Sequence, residues 1–180
     1  MLAAGLSRRM GEDKLLIEFQ GRTLLQRAVM LMVGLPVCER ILVTTAGRLE
    51  SLALPNGVRA VVNPAPEEGQ SGSVRLGVAA ATGEWYFFML ADQPLLNRGD
   101  LLPLLECAGD RDGRIIYPVI NGNPGAPSLF SSRFRPELLA LSGDTGGRAV
   151  REAHPEACTE FKPERPEHFM DVDSEKEGLL

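Results

Sequence analysis

The run Trp85-Tyr86-Phe87-Phe88-Met89-Leu90 places six apolar residues in a row with no alternation. A strand with one wet face alternates polar and apolar positions, so a run of this kind needs cover on both faces. Arg40 to Thr45 and Val58 to Val62 are β-branched runs of the same character, and Arg114 to Tyr117 is a further strand segment. Helical patterns separate them. Thr23-Leu24-Leu25-Gln26 has the form of a capping box, and Leu24, Leu25, Ala28, Val29 and Met32 follow at helical spacing until Gly34 and Pro36. Ser73 to Ala81 and Gly99 to Cys107 read as two more helices, the second capped by Asn97.

Strands alternating with helices imply βαβ crossovers. The expectation is an α/β fold over 1–180, a single Rossmann-like domain whose mostly parallel sheet carries helices on both faces. In such sheets ligands bind at the carboxyl ends of the strands, where strand order reverses. That directs attention to the loops Gly5 to Lys14, Asn63 to Gly72 and Ala91 to Leu96. Gly122 to Gly147, rich in Gly and Pro, is expected to be an irregular insertion near the site. The end is read as a strand from His168 to Val172 followed by a short helix.

Charge narrows the partners. Nineteen Lys and Arg against 24 Asp and Glu give −5 and a pI near 5.2, the wrong sign for a chain that lives on nucleic-acid backbone. The apolar runs are too short to span a membrane, and Arg8, Arg9 and Asp13 interrupt the opening before a secretory leader could develop. A cytoplasmic protein is the expectation, with no nucleic-acid or membrane partner. Cys38, Cys107 and Cys158 are odd in number and scattered, which fits reduced thiols rather than a disulfide or zinc framework. His154 and His168 read as solvated, so histidine-based catalysis is not expected.

The opening Leu2-Ala3-Ala4-Gly5-Leu6-Ser7-Arg8-Arg9-Met10-Gly11, with Lys14 just beyond, is a strand end followed by small residues and cations. Small residues let backbone amides approach an anion, and Arg and Lys supply the charge a triphosphate needs. The alternative is an ordinary glycine turn with solvated arginines. It is neither a P-loop, because five residues separate Gly5 from Gly11 and no Gly-Lys-Ser/Thr follows, nor a GxGxxG fingerprint.

Taken together, LAAGxSxRMGxxK, Gly69-Gln70-Ser71-Gly72-Ser73-Val74-Arg75, Leu90-Ala91-Asp92-Gln93-Pro94, Gly143-Asp144-Thr145-Gly146-Gly147-Arg148 and Asp171-Val172-Asp173 resemble, in order, the motifs of the MobA-like nucleotidyltransferases. Within that family they are most similar to the molybdenum-cofactor cytidylyltransferases. Two departures stand out. Relatives usually begin the first strand several residues before Leu2, which makes the start at Met1 look late or the chain a shortened relative. Gly122-Asn123-Pro124-Gly125-Ala126-Pro127 resembles a GxxGHP element but has Ala126 in the His position.

The resemblance implies transfer of CMP from CTP to the phosphate of a molybdopterin-type cofactor, with release of pyrophosphate and dependence on Mg²⁺. Arg9 and Lys14 would neutralise phosphates and Asp92 would hold the metal, with Asp171 and Asp173 as further ligands. Asp92 as a mere turn cap, and the last two as solvated acids, are the alternatives. Leu2, Ala3, Ala4, Gly5, Ser7, Gly69, Gln70, Ser71 and Ser73 would face the nucleotide; Ser73 reads equally as a helix N-cap. Gly125, Asp144 and Arg148 would contact the acceptor, though a tight turn and a surface arginine account for the latter two as well. Ala4, where guanylyl-transferring relatives usually have Gly, would leave less room for a purine's second ring. Guanylyl transfer to the same cofactor, a sugar-phosphate nucleotidyltransferase, and a non-catalytic cofactor-binding chaperone are the other readings. A molybdoenzyme or its maturation chaperone would receive the product.

Overall fold

A computed structural model describes residues 1–5, 13–109 and 113–171. Its strands are β1 (Leu2–Ala3), β2 (Glu18–Phe19), β3 (Arg22–Thr23), β4 (Ile41–Thr44), β5 (Arg59–Val62), β6 (Trp85–Phe88), β7 (Ile115–Ile120), β8 (Asn123–Pro124), β9 (Ser128–Ser131) and β10 (Cys158–Phe161). Its α-helices are α1 (Leu24–Val33), α2 (Ala46–Glu50), α3 (Gln70–Ala80), α4 (Arg98–Glu106), α5 (Arg135–Ala140) and α6 (Gly147–Ala153). β1, β4 and β5 pair in parallel, with Leu2 opposite Val43 and Ile41 opposite Arg59. β10 pairs in parallel with β7, while β9 runs antiparallel to both β7 and β6. A parallel bridge from Leu2 to Leu90, with the Leu2 amide 2.9 Å from the Met89 carbonyl, joins the two groups of strands. The resulting order runs β5, β4, β1, β6, β9, β7, β10. The chain therefore steps outward from β1 to β5 and then returns to the other side of β1.

The unalternating apolar runs behave as their composition requires. Ile115 packs with Val74, Val78, Phe130 and Leu138 under α3 and α5, whereas its neighbour Ile116 packs with Leu104 and Leu129 beneath α4. Successive residues of one strand thus feed two helical layers. A third cluster gathers Leu24, Leu25, Val29 and Met32 of α1 against Ala3, Leu42 and Met89. The α1 capping box is present: the Gln26 amide donates to Thr23 Oγ1 at 3.2 Å and the Thr23 amide donates to Gln26 Oε1 at 3.0 Å. Asn97 caps α4, and Asp100 answers from the third helical position.

Three expectations need correction, and one strand went unread. α3 starts at Gln70, so Ser73 is an interior residue and the N-cap is Gly69, without a side-chain bond. The segment 122–147 is built rather than irregular: it contains β8, β9 and α5, with β9 in the middle of the sheet. Residues 166–169 form a 3₁₀ turn, and Met170 and Asp171 are not in a strand. β10 had no alternation strong enough to mark it; its pairing with β7 makes it a strand.

The two histidines are structural partners rather than solvated groups. His154 Nε2 lies 2.7 Å from Glu137 Oε2, and that carboxylate raises the imidazole pKa above its ordinary value. His168 Nδ1 lies 2.9 Å from Oδ2 of buried Asp100, whose Oδ1 is 2.6 Å from Arg165 Nη2. The Met1 nitrogen donates to the Ile41 carbonyl at 2.7 Å.

Candidate active site

The sheet changes direction at β1, and the exits of β1 and of the β6 extension lie side by side because Leu2 and Leu90 pair in parallel. Ala4 and Gly5 leave on one side of this crevice, and Ala91 and Asp92 on the other. This is where an open α/β sheet places its ligand. Ser7 and Arg9 lie outside the described residues, as does Asp173.

Asp13 begins the return of the opening loop. Its Oδ1 accepts from the Leu15 amide at 3.1 Å and so caps the 3₁₀ turn Lys14–Leu16. That turn carries Lys14 across the crevice, where its Nζ lies 3.2 Å from Asp92 Oδ2. The other oxygen, Asp92 Oδ1, is buried and has no hydrogen-bond partner. An orphaned buried carboxylate oxygen is costly, and it is the kind of hard ligand a divalent cation takes. Asp92 therefore fits a metal such as Mg²⁺, which needs only one or two carboxylates beside phosphate and water oxygens. Among the described residues no group of three His, Cys, Asp or Glu side chains stands close enough to hold a metal by itself. Asp171 is exposed and follows the 166–169 turn. Asp171 itself is not in a strand, and the alternation that would put Asp171 and Asp173 on one face rests on positions outside the described residues.

The second wall is the start of α3. Asn63 leaves β5, accepts from the Ala65 amide and donates to Ser73 Oγ at 3.1 Å, which fixes the buried serine. Gly69 has φ +101°, and a Cβ on it would fall within 2.6 Å of the Asp144 Cα. Only glycine allows the two segments to lie this close. Asp144 Oδ1 then accepts from the Gln70 amide at 3.1 Å, and the Gly143 carbonyl from the Ser71 amide at 3.4 Å. The proposed nucleotide block (Gly69 to Ser73) and the proposed acceptor block (Gly143 to Arg148) are thus one wall. Asp144 spends one oxygen on the helix end, and Arg148 sits on the outer face of α6, 78% exposed, with its Nε 2.6 Å from Glu152.

The floor is held by Gln93, only 6% exposed, whose Nε2 donates to the Phe169 carbonyl at 2.5 Å and the Ala126 carbonyl at 3.1 Å. One side chain thereby binds the metal loop to the Gly122–Pro127 element and to the C-terminal turn. Gly125 is close-packed under the Ile120 side chain, and its amide donates to the Pro118 carbonyl at 2.8 Å. Ala4 is 1% exposed, so its methyl is packed inside the fold instead of facing a pocket. Exclusion of a purine by that methyl has no footing in this geometry. Gly5, in contrast, is exposed, and a Cβ there would meet open space among the described residues.

No sequence signal marks Arg48, which reaches from α2 to residues 3, 5 and 13, or Gln93, Asn63 and the Asp100–Arg165–His168 cluster as connectors. Each reaches partners ten to 76 residues away, so no local pattern marks it.

The model of the MobA-like NTP transferase domain matches residues 1–158. The chain belongs to this family. It is therefore a nucleotidyltransferase. Molybdenum cofactor cytidylyltransferase of Escherichia coli K12 is 32% identical over 133 residues, 72% of this chain and 67% of that protein. A Deinococcus radiodurans protein named "Probable molybdenum cofactor guanylyltransferase" is 29% identical over 171 residues, 93% of this chain and 84% of that one. Among solved structures, Rv0371c of Mycobacterium tuberculosis superposes with a TM-score of 0.79 at 23% identity, covering 96% of this chain and 89% of that one. Its manganese complex gives 0.75 at 21% identity, covering 89% and 84%. These structures establish the same Rossmann-like fold.

Two outcomes follow for this NTP transferase. Asp92→Asn keeps the shape and removes the charge; turnover is expected to fall about 100-fold or more, with a melting temperature within a few degrees of the parent. Steady-state pyrophosphate release and thermal denaturation check both halves. Gly69→Ala should destabilise by roughly 1–3 kcal/mol, because its backbone lies outside the region open to a Cβ and the new atom meets backbone instead of a movable side chain. Urea denaturation measures it.

Proposed function

We propose that this MobA-like enzyme transfers CMP from CTP to the terminal phosphate of a molybdopterin-type cofactor and releases pyrophosphate. The observation that carries the reading is the Lys14–Asp92 pair at the switch point, with Asp92 Oδ1 buried and unpartnered. An acceptor phosphate oxygen attacks the α-phosphorus; a new P–O bond forms, the bond to the bridging oxygen of the β-phosphate breaks, and that oxygen leaves as part of pyrophosphate. The acceptor phosphate is already anionic at neutral pH, so no general base is required. The protein's task is positioning and charge neutralisation.

Asp92 would hold Mg²⁺, which supplies electrostatic neutralisation of the triphosphate when bound. Lys14 and Arg9 would carry positive charge to the phosphates, with the backbone of Ala3 to Ser7 beside them. The α3 start, where Ser71 and Ser73 are buried, would receive the nucleotide. The Gly125 and Asp144 regions would form the acceptor side, joined to the metal loop through Gln93 and to α3 through the Gln70 amide. The cytidylyl name of the Escherichia coli relative supports CTP; the guanylyl name of the Deinococcus relative makes GTP the competing substrate.

A panel of CTP, GTP, ATP and UTP with Mg²⁺ and a reduced molybdopterin-type acceptor, scored by pyrophosphate release, tests this. CTP is expected to give the highest kcat/KM, with the gap to GTP on the order of 10-fold or more, the least that even a methylene-sized difference in fit allows. Ala4→Gly should leave that ratio unchanged, since the methyl is buried. A higher kcat/KM for GTP would replace the cytidylyl reading with the guanylyl one. No pyrophosphate from any nucleotide would favour a cofactor-binding protein without turnover.

A further inference from the structure

We propose that Arg48 is a positioning residue of the nucleotide site, setting the reach of Lys14 through Asp13. The inference rests on the reading of Lys14 as a triphosphate-binding group. α2 is five residues long and turns an arginine inward: Arg48 is 4% exposed, while Leu49 beside it is only half-buried. Its guanidinium makes four hydrogen bonds. Nη1 donates to the Ala3 carbonyl at 2.6 Å, and Nη2 to the Gly5 carbonyl at 2.8 Å. Nε and Nη2 grip Asp13 Oδ2 and Oδ1 at 2.6 and 2.7 Å.

None of the four bonds returns to α2. All end on residues 3, 5 and 13, where the opening loop leaves the sheet and where it comes back. A bidentate guanidinium–carboxylate pair fixes direction as well as distance, and with charge on both partners it is stronger than a neutral bond. Asp13 also caps the turn that starts at Lys14, so the orientation of the carboxylate is passed to the lysine facing Asp92. α2 has a separate anchor, since the Thr45 side chain accepts from the Arg48 amide at 3.4 Å. The side chain is thus available for the loop. A lysine at position 48 would keep the charge but could not present the planar fork that meets three partners at once.

The test uses the full chain with inorganic tripolyphosphate and Mg²⁺ in calorimetry, together with kcat and KM for CTP. Arg48→Lys and Asp13→Asn are each expected to raise the tripolyphosphate Kd and the KM for CTP about tenfold or more, with a smaller change in kcat. Asp13→Asn reads the link from its other end, so a poorly folded Arg48→Lys still leaves the question decided. Combining either variant with Lys14→Ala should add less than about threefold to the loss from Lys14→Ala alone, because both act through the same group. A well-folded Arg48→Lys and Asp13→Asn that bind tripolyphosphate like the parent would overturn the proposal. So would fully multiplicative losses in the double variants, which mark a structural role independent of Lys14. A parent chain that fails to bind tripolyphosphate, with Lys14→Ala no different, would overturn the reading of Lys14 itself.

Discussion

Leu2 sits between two strands that are otherwise separate, opposite Val43 on one side and bridged to Leu90 on the other. Without that pairing the β5-β4-β1 group and the β6-β9-β7-β10 group would be two sheets with no common edge. The same pairing brings the exits of β1 and β6 together, so the crevice containing Lys14 and Asp92 is a consequence of sheet order. Burial reinforces it: Ala3, Ala4, Val43 and Met89 are almost fully enclosed. A two-residue strand can hold this position because its neighbours and the layers of α1 and α3 exclude water from its hydrogen bonds.

Around the crevice, polar side chains connect distant segments. Arg48 gathers residues 3, 5 and 13; Gln93 gathers 126 and 169; Asp144 and Asn63 fix the start of α3. Each is half-buried or deeper except Asp144, and each satisfies backbone groups that a loop would otherwise leave unpaired. Loops that must approach a ligand closely cannot build their own secondary structure, so their shape is set by side chains reaching in from elsewhere. This division suits phosphoryl chemistry, where placement of charge matters more than a covalent nucleophile.

Local signals were legible where the physics is local. The Thr23–Gln26 and Asn97–Asp100 caps involve atoms three residues apart, and both helices begin where those residues stand. The apolar run at 85–90 became β6 and its extension because only a doubly covered strand accommodates it. The Ser73 cap failed because Gly69, in a conformation only glycine tolerates, allowed α3 to begin earlier against the 143–144 turn. Over residues 168–171, the described part of the expected 168–172 strand, no strand forms, because Pro166 and the anchoring of His168 to Asp100 turn the chain there.

The sequence by itself determined the layered α/β class and the family, and it singled out Asp92 and Lys14 as candidates, because periodicity and short ordered motifs are carried by near neighbours. It did not determine which of those motifs touch. That Gly69 to Ser73 and Gly143 to Asp144 form one wall, that Ala4 turns its methyl inward, and that Arg48 holds both ends of the opening loop were decided by the tertiary structure. The reason is that hydrogen bonds and close packing between residues tens of positions apart depend on sheet order, and sheet order leaves no periodic trace in the chain.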